Sequence, residues 1–205
     1  APYYVDNDRF AAAALALEPE RQARRQRWQV PDRAVCLLYA GKLEPKKRIF
    51  DLLDALRQVV QAGGPAVHLL VVGTGELMDA ARARVAEHRL PVSFAGFLNQ
   101  TEMPAAYVAA DCLVLPSDYG ETWGLVVNEA MACGKPVIAL AKGGALETVV
   151  DGETGILFTE STPESLMQAV ASCESKPWNQ QVLRNHALTF SREHFTAQMA
   201  KIINA

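Results

Sequence analysis

The sequence predicts an α/β domain, a doubly wound, mainly parallel six-stranded Rossmann-like sheet. Three observations predict it. From Val35 onward, short aliphatic runs recur without polar alternation, as strands covered on both faces do. Longer stretches with helical spacing of apolar residues separate those runs, which is the β-α-β-α order of a parallel sheet. Finally, 205 residues of which 50% are hydrophobic suffice for one full core, with about 70% of the unfolded surface buried, so one domain is the simplest count.

The strands are expected at Val35–Ala40, Val67–Val72, Val92–Ala95, Cys112–Pro116, Val137–Leu140 and Ile156–Phe158. Helices are expected near Phe50–Gln61, Glu76–His88, Glu102–Ala110, Leu125–Cys133, Ala145–Val150, Pro163–Cys173 and after Trp178. Thr101, Thr162 and Ser191 occupy N-cap positions, and Pro163 a first helical position. Residues 1–33 read differently. Arg21, Arg24, Arg25 and Arg27 cluster with Trp28 on a short helix. Such a cluster suits an anionic lipid surface or an acidic partner, or else arginine stems that cover apolar surface with their heads in water.

A net charge of −3 provides no general attraction to nucleic acid, and no apolar run approaches the roughly 18 residues that span a bilayer. Cys36, Cys112, Cys133 and Cys173 lie far apart and read as reduced core residues, pointing to a cytoplasmic protein. His68, His88, His186 and His194 lack metal-ligand spacing, so no metal is expected. No signal peptide opens the chain, and its start without methionine suggests missing upstream sequence.

The segment from Pro116 to Leu140 concentrates the chemistry. Gly120 and Gly124 allow close backbone approach, and the helix beginning near Leu125 offers unpaired amides at Gly124, Leu125 and Val126 to an anion. Glu129 follows one turn later and leans back toward the same mouth, where its carboxylate suits the vicinal hydroxyls of a ribose. Glu121 stays in the loop. At the end of the first strand, Gly41-Lys42-Leu43-Glu44-Pro45-Lys46-Lys47 places cations where ligands bind in open α/β sheets. At about 4 Å and an effective dielectric near 20, each ammonium would supply roughly 4 kcal/mol of gross attraction to a phosphate. Gly73-Thr74-Gly75 resembles a dinucleotide fingerprint whose third glycine is Met78; that disfavours NAD and leaves Gly73 as cleft lining. A Gly-x4-Gly-Lys-Ser/Thr phosphate loop is absent from the sequence. Gly143-Gly144 is read as a turn with backbone amides on the cleft side, and Glu147 as serving its helix.

A loop glutamate, seven intervening residues, a helical glutamate and then Ala130-Met131-Ala132-Cys133-Gly134-Lys135-Pro136-Val137-Ile138 resemble the retaining glycosyltransferases of the family-4 type, over about Val35 to Phe158. That resemblance implies one half of the two-domain GT-B architecture: the donor-binding domain at 34–190, an interdomain hinge and short helix at 1–33 that opens with a strand and turn over Tyr3 to Phe10, and a crossing helix at 191–205 with a partly bare apolar face. It implies that the donor is a nucleoside-diphosphate sugar, of the UDP or GDP type, and that no further cofactor is needed. Lys42 and Lys47 would bind the diphosphate, Glu121 would orient the sugar, and Gly96-Phe97-Leu98 would grip the base, Phe97 being equally suited to the core. A carbohydrate or lipid-linked acceptor would be held by an N-terminal domain absent from this chain, which alone would bind and not transfer, in the cytoplasm or peripherally at a membrane. The sequence departs from the family at Trp123 for phenylalanine, at Lys42 for arginine, and at Arg48 for a frequent glycine; Arg48 would crowd the loop or add a third cation. Two other classes use the same residues. A glycoside hydrolase would take Glu121 and Glu129 as acid and base but has no use for paired lysines at a phosphate. A non-catalytic nucleotide-sugar-binding module would use the whole site.

Overall fold

The structure is a computed structural model that describes residues 3–117, 123–160 and 162–203. Six strands, β1 (Val35–Ala40), β2 (Val67–Val72), β3 (Val92–Gly96), β4 (Cys112–Leu115), β5 (Val137–Leu140) and β6 (Gly155–Phe158), form one sheet in the order β3-β2-β1-β4-β5-β6. Every neighbouring pair is parallel. The chain runs outward from β1 to β3, then returns to β4, so strand order reverses beside β1 and opens a crevice at the carboxyl ends there.

Strand period explains the unalternating apolar runs. In β1, Cys36, Leu38 and Ala40 enter one core, with Leu70, Leu113 and Val137 of neighbouring strands. Leu37 and Tyr39 point the other way, into a second core with Leu69, Val114 and Ile138. The first core is closed by α1 (Asn7–Leu17), α5 (Met103–Ala109), α6 (Leu125–Ala132) and α9 (Gln180–Leu188), and the second by α3 (Ile49–Gln61), α4 (Met78–His88) and α8 (Pro163–Ser175). Each fully buried leucine in these layers contributes about 1.5–3 kcal/mol. The remaining helices are α2 (Arg21–Arg27), α7 (Ala145–Thr148) and α10 (Arg192–Ile203). No residue of α10 is buried, and Ile202 and Ile203 lie exposed near its end.

The amino-terminal segment corrects two expectations. Instead of a strand and turn reaching Phe10, a helix starts at Asn7, because the Asp6 carboxylate caps it by accepting from Arg9 N at 3.1 Å and an alanine-rich run carries it onward. Phe10 and Ala14 seal it into the first core. The arginine cluster on α2 is not uniformly wet either. Arg25 is 1% exposed. Its guanidinium donates to Pro31 O at 2.7 Å, Ala109 O at 3.3 Å, the Asp111 carboxylate at 3.2 Å and Ala34 O. Arg21 meets the same Asp111 at 2.6 Å and Val108 O at 3.0 Å. These two charges therefore tie α2 to the β4 end of the sheet, with Arg25 buried and Arg21 partly exposed.

Local signals fared unevenly. Thr162 caps α8 by accepting from Ser165 N at 3.2 Å, and Ser191 accepts from His194 N at the same distance. Thr101 is displaced as a cap. The Asn99 side chain accepts from Thr101 N at 2.9 Å and Glu102 N at 3.1 Å, so α5 begins one residue later than expected, at Met103. Gly134 ends α6 as expected, at φ +74° with Gly134 N on Met131 O and Lys135 N on Ala130 O.

Candidate functional site

At the carboxyl ends of β1 and β2, two backbone segments cross almost without side chains between them. Gly41 N donates to Val72 O at 3.0 Å, Gly73 N to Gly96 O at 2.8 Å and Leu43 N to Thr74 O at 3.0 Å. A Cβ on Gly73 would lie 1.9 Å from Gly41 O, and one on Gly75 2.5 Å from Leu43 O. The Gly-x-Gly turn thus exists to let these strands' exits touch, which accounts for its incomplete dinucleotide fingerprint.

The crossing floors a cavity of about 410 Å³. Gly41, Lys42, Gly73 and Thr74 line it from the β1 and β2 exits, Phe97 and Leu98 from the β3 exit, Met103 from α5, and Val126 and Glu129 from α6. Seven of the residues singled out in the sequence therefore meet at one cavity: Gly41, Lys42, Gly73, Phe97, Leu98, Val126 and Glu129. Gly124 and Leu125 stand at the start of α6 without lining it. Gly124 is the N-cap, at φ +72° and ψ +62°, a left-handed conformation that glycine adopts at least cost. Lys47 belongs to the turn Pro45–Lys47 beside the Lys42 loop and is not among the lining residues. Glu121 and Gly120 lie outside the described residues.

Electrostatically the cavity is asymmetric. The Lys42 side chain is 80% exposed at the rim, 3.8 Å from Glu44, which Lys46 also meets at 3.6 Å. Tyr39 steadies this loop by donating to Lys42 O at 2.9 Å. Arg48 adopts φ +53° and ψ +39°, the left-handed region that explains a glycine at this position, and its guanidinium bonds Asp51 at 2.6 Å. Opposite, Glu129 is 7% exposed, and its Oε2 accepts from the Tyr107 hydroxyl at 2.7 Å. Burial pushes the Glu129 carboxyl above its ordinary range, against the Tyr107 hydrogen bond and the Arg9 charge, which both pull it down. Phe97, 73% exposed, presents its ring at the rim beside Leu98. The arrangement offers a cation, an apolar platform and a buried acceptor in one cleft, the combination that a phosphorylated aromatic nucleoside requires.

Sequence reasoning missed Tyr107. Its signal was one aromatic side chain with a polar tip in the helix Met103–Ala109, which is otherwise small and aliphatic and lies wholly within the core. A phenol there needs a partner. Gly144 also meets a packing requirement: a Cβ there would fall 2.5 Å from Trp123 Cα, so the turn lets the entry to α6 pack closely. Trp123 then stacks edge-on against Phe190 at 5.8 Å and tilted on Tyr3 at 5.8 Å, anchoring that entry. Among the described residues, no group of three or more His, Cys, Asp or Glu side chains is placed to hold a metal. No described helix is long and apolar enough to cross a membrane.

Residues 20–189 match the family model described as glycosyl transferases group 1. A glycogen synthase of Mycobacterium tuberculosis is 36% identical over 143 residues, 69% of this chain and 34% of that protein. The D-inositol 3-phosphate glycosyltransferase of Geodermatophilus obscurus is 33% identical over 208 residues, 94% of this chain and 44% of that protein. Among solved structures, HepE of Anabaena in complex with UDP and glucose superposes with a TM-score of 0.77 at 26% identity, covering 91% of this chain and 52% of that one. Sucrose-phosphate synthase of Thermosynechococcus elongatus does so with 0.75 at 31% identity, covering 89% and 48%. The chain spans a third to about half the length of the curated relatives it matches. By this match, and by a six-stranded parallel sheet shared with GT-B structures, the chain belongs to the group 1 glycosyl transferases.

Proposed function

We propose that this chain is the donor-binding half of a retaining, metal-independent glycosyltransferase that uses a nucleoside-diphosphate sugar. The observation that carries the reading is the single cavity in which Lys42, Phe97 and the buried Glu129 converge at the sheet's carboxyl edge. HepE, a similar protein, was solved with UDP and glucose, which supports a donor of that class here. In this reading the base rests against Phe97 and Leu98, the ribose hydroxyls donate to Glu129, and the diphosphate meets Lys42, Lys47 and the amides at Gly124 to Val126. As the bond between the anomeric carbon and the phosphate oxygen breaks, charge grows on the leaving diphosphate, and these fixed cations and amides stabilise it. The acceptor oxygen bonds the same face of that carbon as its proton passes to the departing diphosphate oxygen. Glu121 orients the sugar. The acceptor itself is supplied by a second domain outside these residues.

Calorimetric titration with UDP, GDP and ADP, and with their glucose or mannose conjugates, tests the reading. One nucleoside diphosphate should bind at micromolar to millimolar concentration, its sugar conjugate more tightly, and Glu121→Gln should erase that difference while leaving the bare nucleotide unaffected. Failure of all three nucleotides to bind would end the proposal.

A further inference from the structure

Tyr107 is the one bulky polar-tipped side chain in α5, and it is completely buried. Its ring is fixed in the first core, with Phe10 edge-on at 6.2 Å. Its single phenolic proton has two acceptors within reach: Glu129 Oε2 at 2.7 Å, and Val126 O at 3.3 Å. Both acceptors sit on α6 one turn apart, and both residues line the cavity. The shorter, charge-assisted contact takes the proton whenever Glu129 is ionised. Glu129 Oε1 has no hydrogen-bond partner among the described residues. One carboxylate oxygen is thus spent inside the protein and the other is left for the cleft.

We propose that Tyr107 is a positioning residue of the donor site: by holding Glu129 Oε2 it aims Oε1 at the ribose hydroxyls of the bound nucleotide. The proposal rests on the reading that Glu129 receives the ribose. A carboxyl this deeply placed can rotate or take up a proton, and either event costs it the role of acceptor. The Tyr107 donor opposes both. The other charged or titratable groups facing Glu129 cannot replace it. Arg9 of α1 attracts it without a hydrogen bond, its guanidinium being engaged by Gln100. Cys133, one turn along α6, is an un-ionised thiol whose own proton burial retains, pushed up to about 12. Arg184 of α9 is held by Gln180, and Lys42 stands across the cavity at its exposed rim.

The test uses the whole chain with Tyr107→Phe, Glu129→Gln and the double substitution. Each is titrated with UDP and GDP and with their 2′,3′-dideoxy counterparts, from about pH 5 to about pH 8. Tyr107→Phe should weaken the ribonucleotide that binds about five- to tenfold, leave the dideoxy compound unchanged, and add nothing in the Glu129→Gln background. Affinity falls on acidification as Glu129 takes up its proton. Without the phenol, only the Arg9 charge still opposes burial, so that fall should move to higher pH. Tyr107→3-fluorotyrosine, a stronger donor of the same shape, should move it to lower pH, and this variant decides the matter should the phenylalanine variant fail to fold. Equal losses for ribose and dideoxyribose compounds, or an unmoved pH profile, would overturn the positioning role while leaving the donor reading intact. If Glu129→Gln itself binds UDP and GDP as well as the unaltered chain does, the donor reading falls first.

Discussion

Gly73→Ala is the most demanding test of how the cavity is built. The added methyl would start 1.9 Å from Gly41 O and 2.8 Å from Gly41 C, whereas ordinary contact begins at 3.4 Å. One backbone must therefore retreat by about 1.5 Å, the difference between 3.4 and 1.9. Neither is free to do so, since Gly41 N is bonded to Val72 O and Gly73 N to Gly96 O. The backbone angle at Gly73, φ +127°, adds about 1–2 kcal/mol for any residue with a Cβ. Forced displacement in a packed region costs about 1–3 kcal/mol, and one broken crossing hydrogen bond about 1 kcal/mol. The sum is about 3–6 kcal/mol, a large part of the roughly 5–15 kcal/mol that holds a domain folded, and should lower Tm by about 6–24 °C. Gly96→Ala is the matched control, because at φ +74° its Cβ meets nothing within 4 Å and only the conformational cost of about 1 kcal/mol remains. Urea unfolding of both variants, with UDP titration of whichever stay folded, reads the difference. A Gly73→Ala variant within 1 kcal/mol of Gly96→Ala would refute the claim that backbone contact, and not ligand approach, dictates this glycine.

Lys42→Ala and Lys47→Ala should each weaken UDP binding about three- to tenfold while leaving uridine binding unchanged, and the loss should shrink as salt screens exposed charge; the check is calorimetry at low and high ionic strength. Acceptor-dependent release of UDP from UDP-glucose should be absent from these 205 residues and restored by fusing an amino-terminal acceptor domain, so robust transfer by this chain alone would refute the division of labour proposed above.

The sheet was legible because both of its faces are buried: the runs from Val35, Val67, Val137 and Ile156 carry no competing polar pattern, and the strand bounds moved by at most about a residue. The amino-terminal helices were harder. Nothing in Asn7-Asp8-Arg9-Phe10 alone distinguishes a turn from a helix start, and the decision lies in Phe10 and Ala14 finding a core that is assembled a hundred residues later. Arg25 misled for a related reason. An arginine in a cluster reads as surface until a carboxylate 86 residues away and three carbonyl groups are folded around it. Part of the site was legible as residue types: Lys42 stood out at a strand end and Glu129 one turn into a helix, whereas Phe97 came from the family resemblance and suited the core equally. What was not legible was the contact that spans elements. Tyr107 and Glu129 lie on different helices, and no spacing rule relates them.

Glu129 shows how such a site sets function against stability. Its carboxyl titrates higher in the folded chain than the ordinary 4.5, because burial outweighs Tyr107 and Arg9. A carboxyl raised by folding contributes stability that is complete below pH 4.5 and is lost as pH rises through the folded value. At neutral pH the empty domain is therefore destabilised by the group that the donor reading requires. Glu129→Gln keeps the size and an acceptor for Tyr107 but cannot ionise, so it should make the ligand-free protein more stable at pH 7, by about 1 kcal/mol or more, with no gain at pH 4. The same substitution should weaken UDP binding about tenfold or more by removing a charged acceptor from the ribose. Thermal unfolding with and without UDP at both pH values measures the two effects together. Stability that drops at pH 7 on substitution would mean that the charge of Glu129 is compensated inside the fold and holds it together, and the account of this carboxyl as a strained binding group would then be wrong.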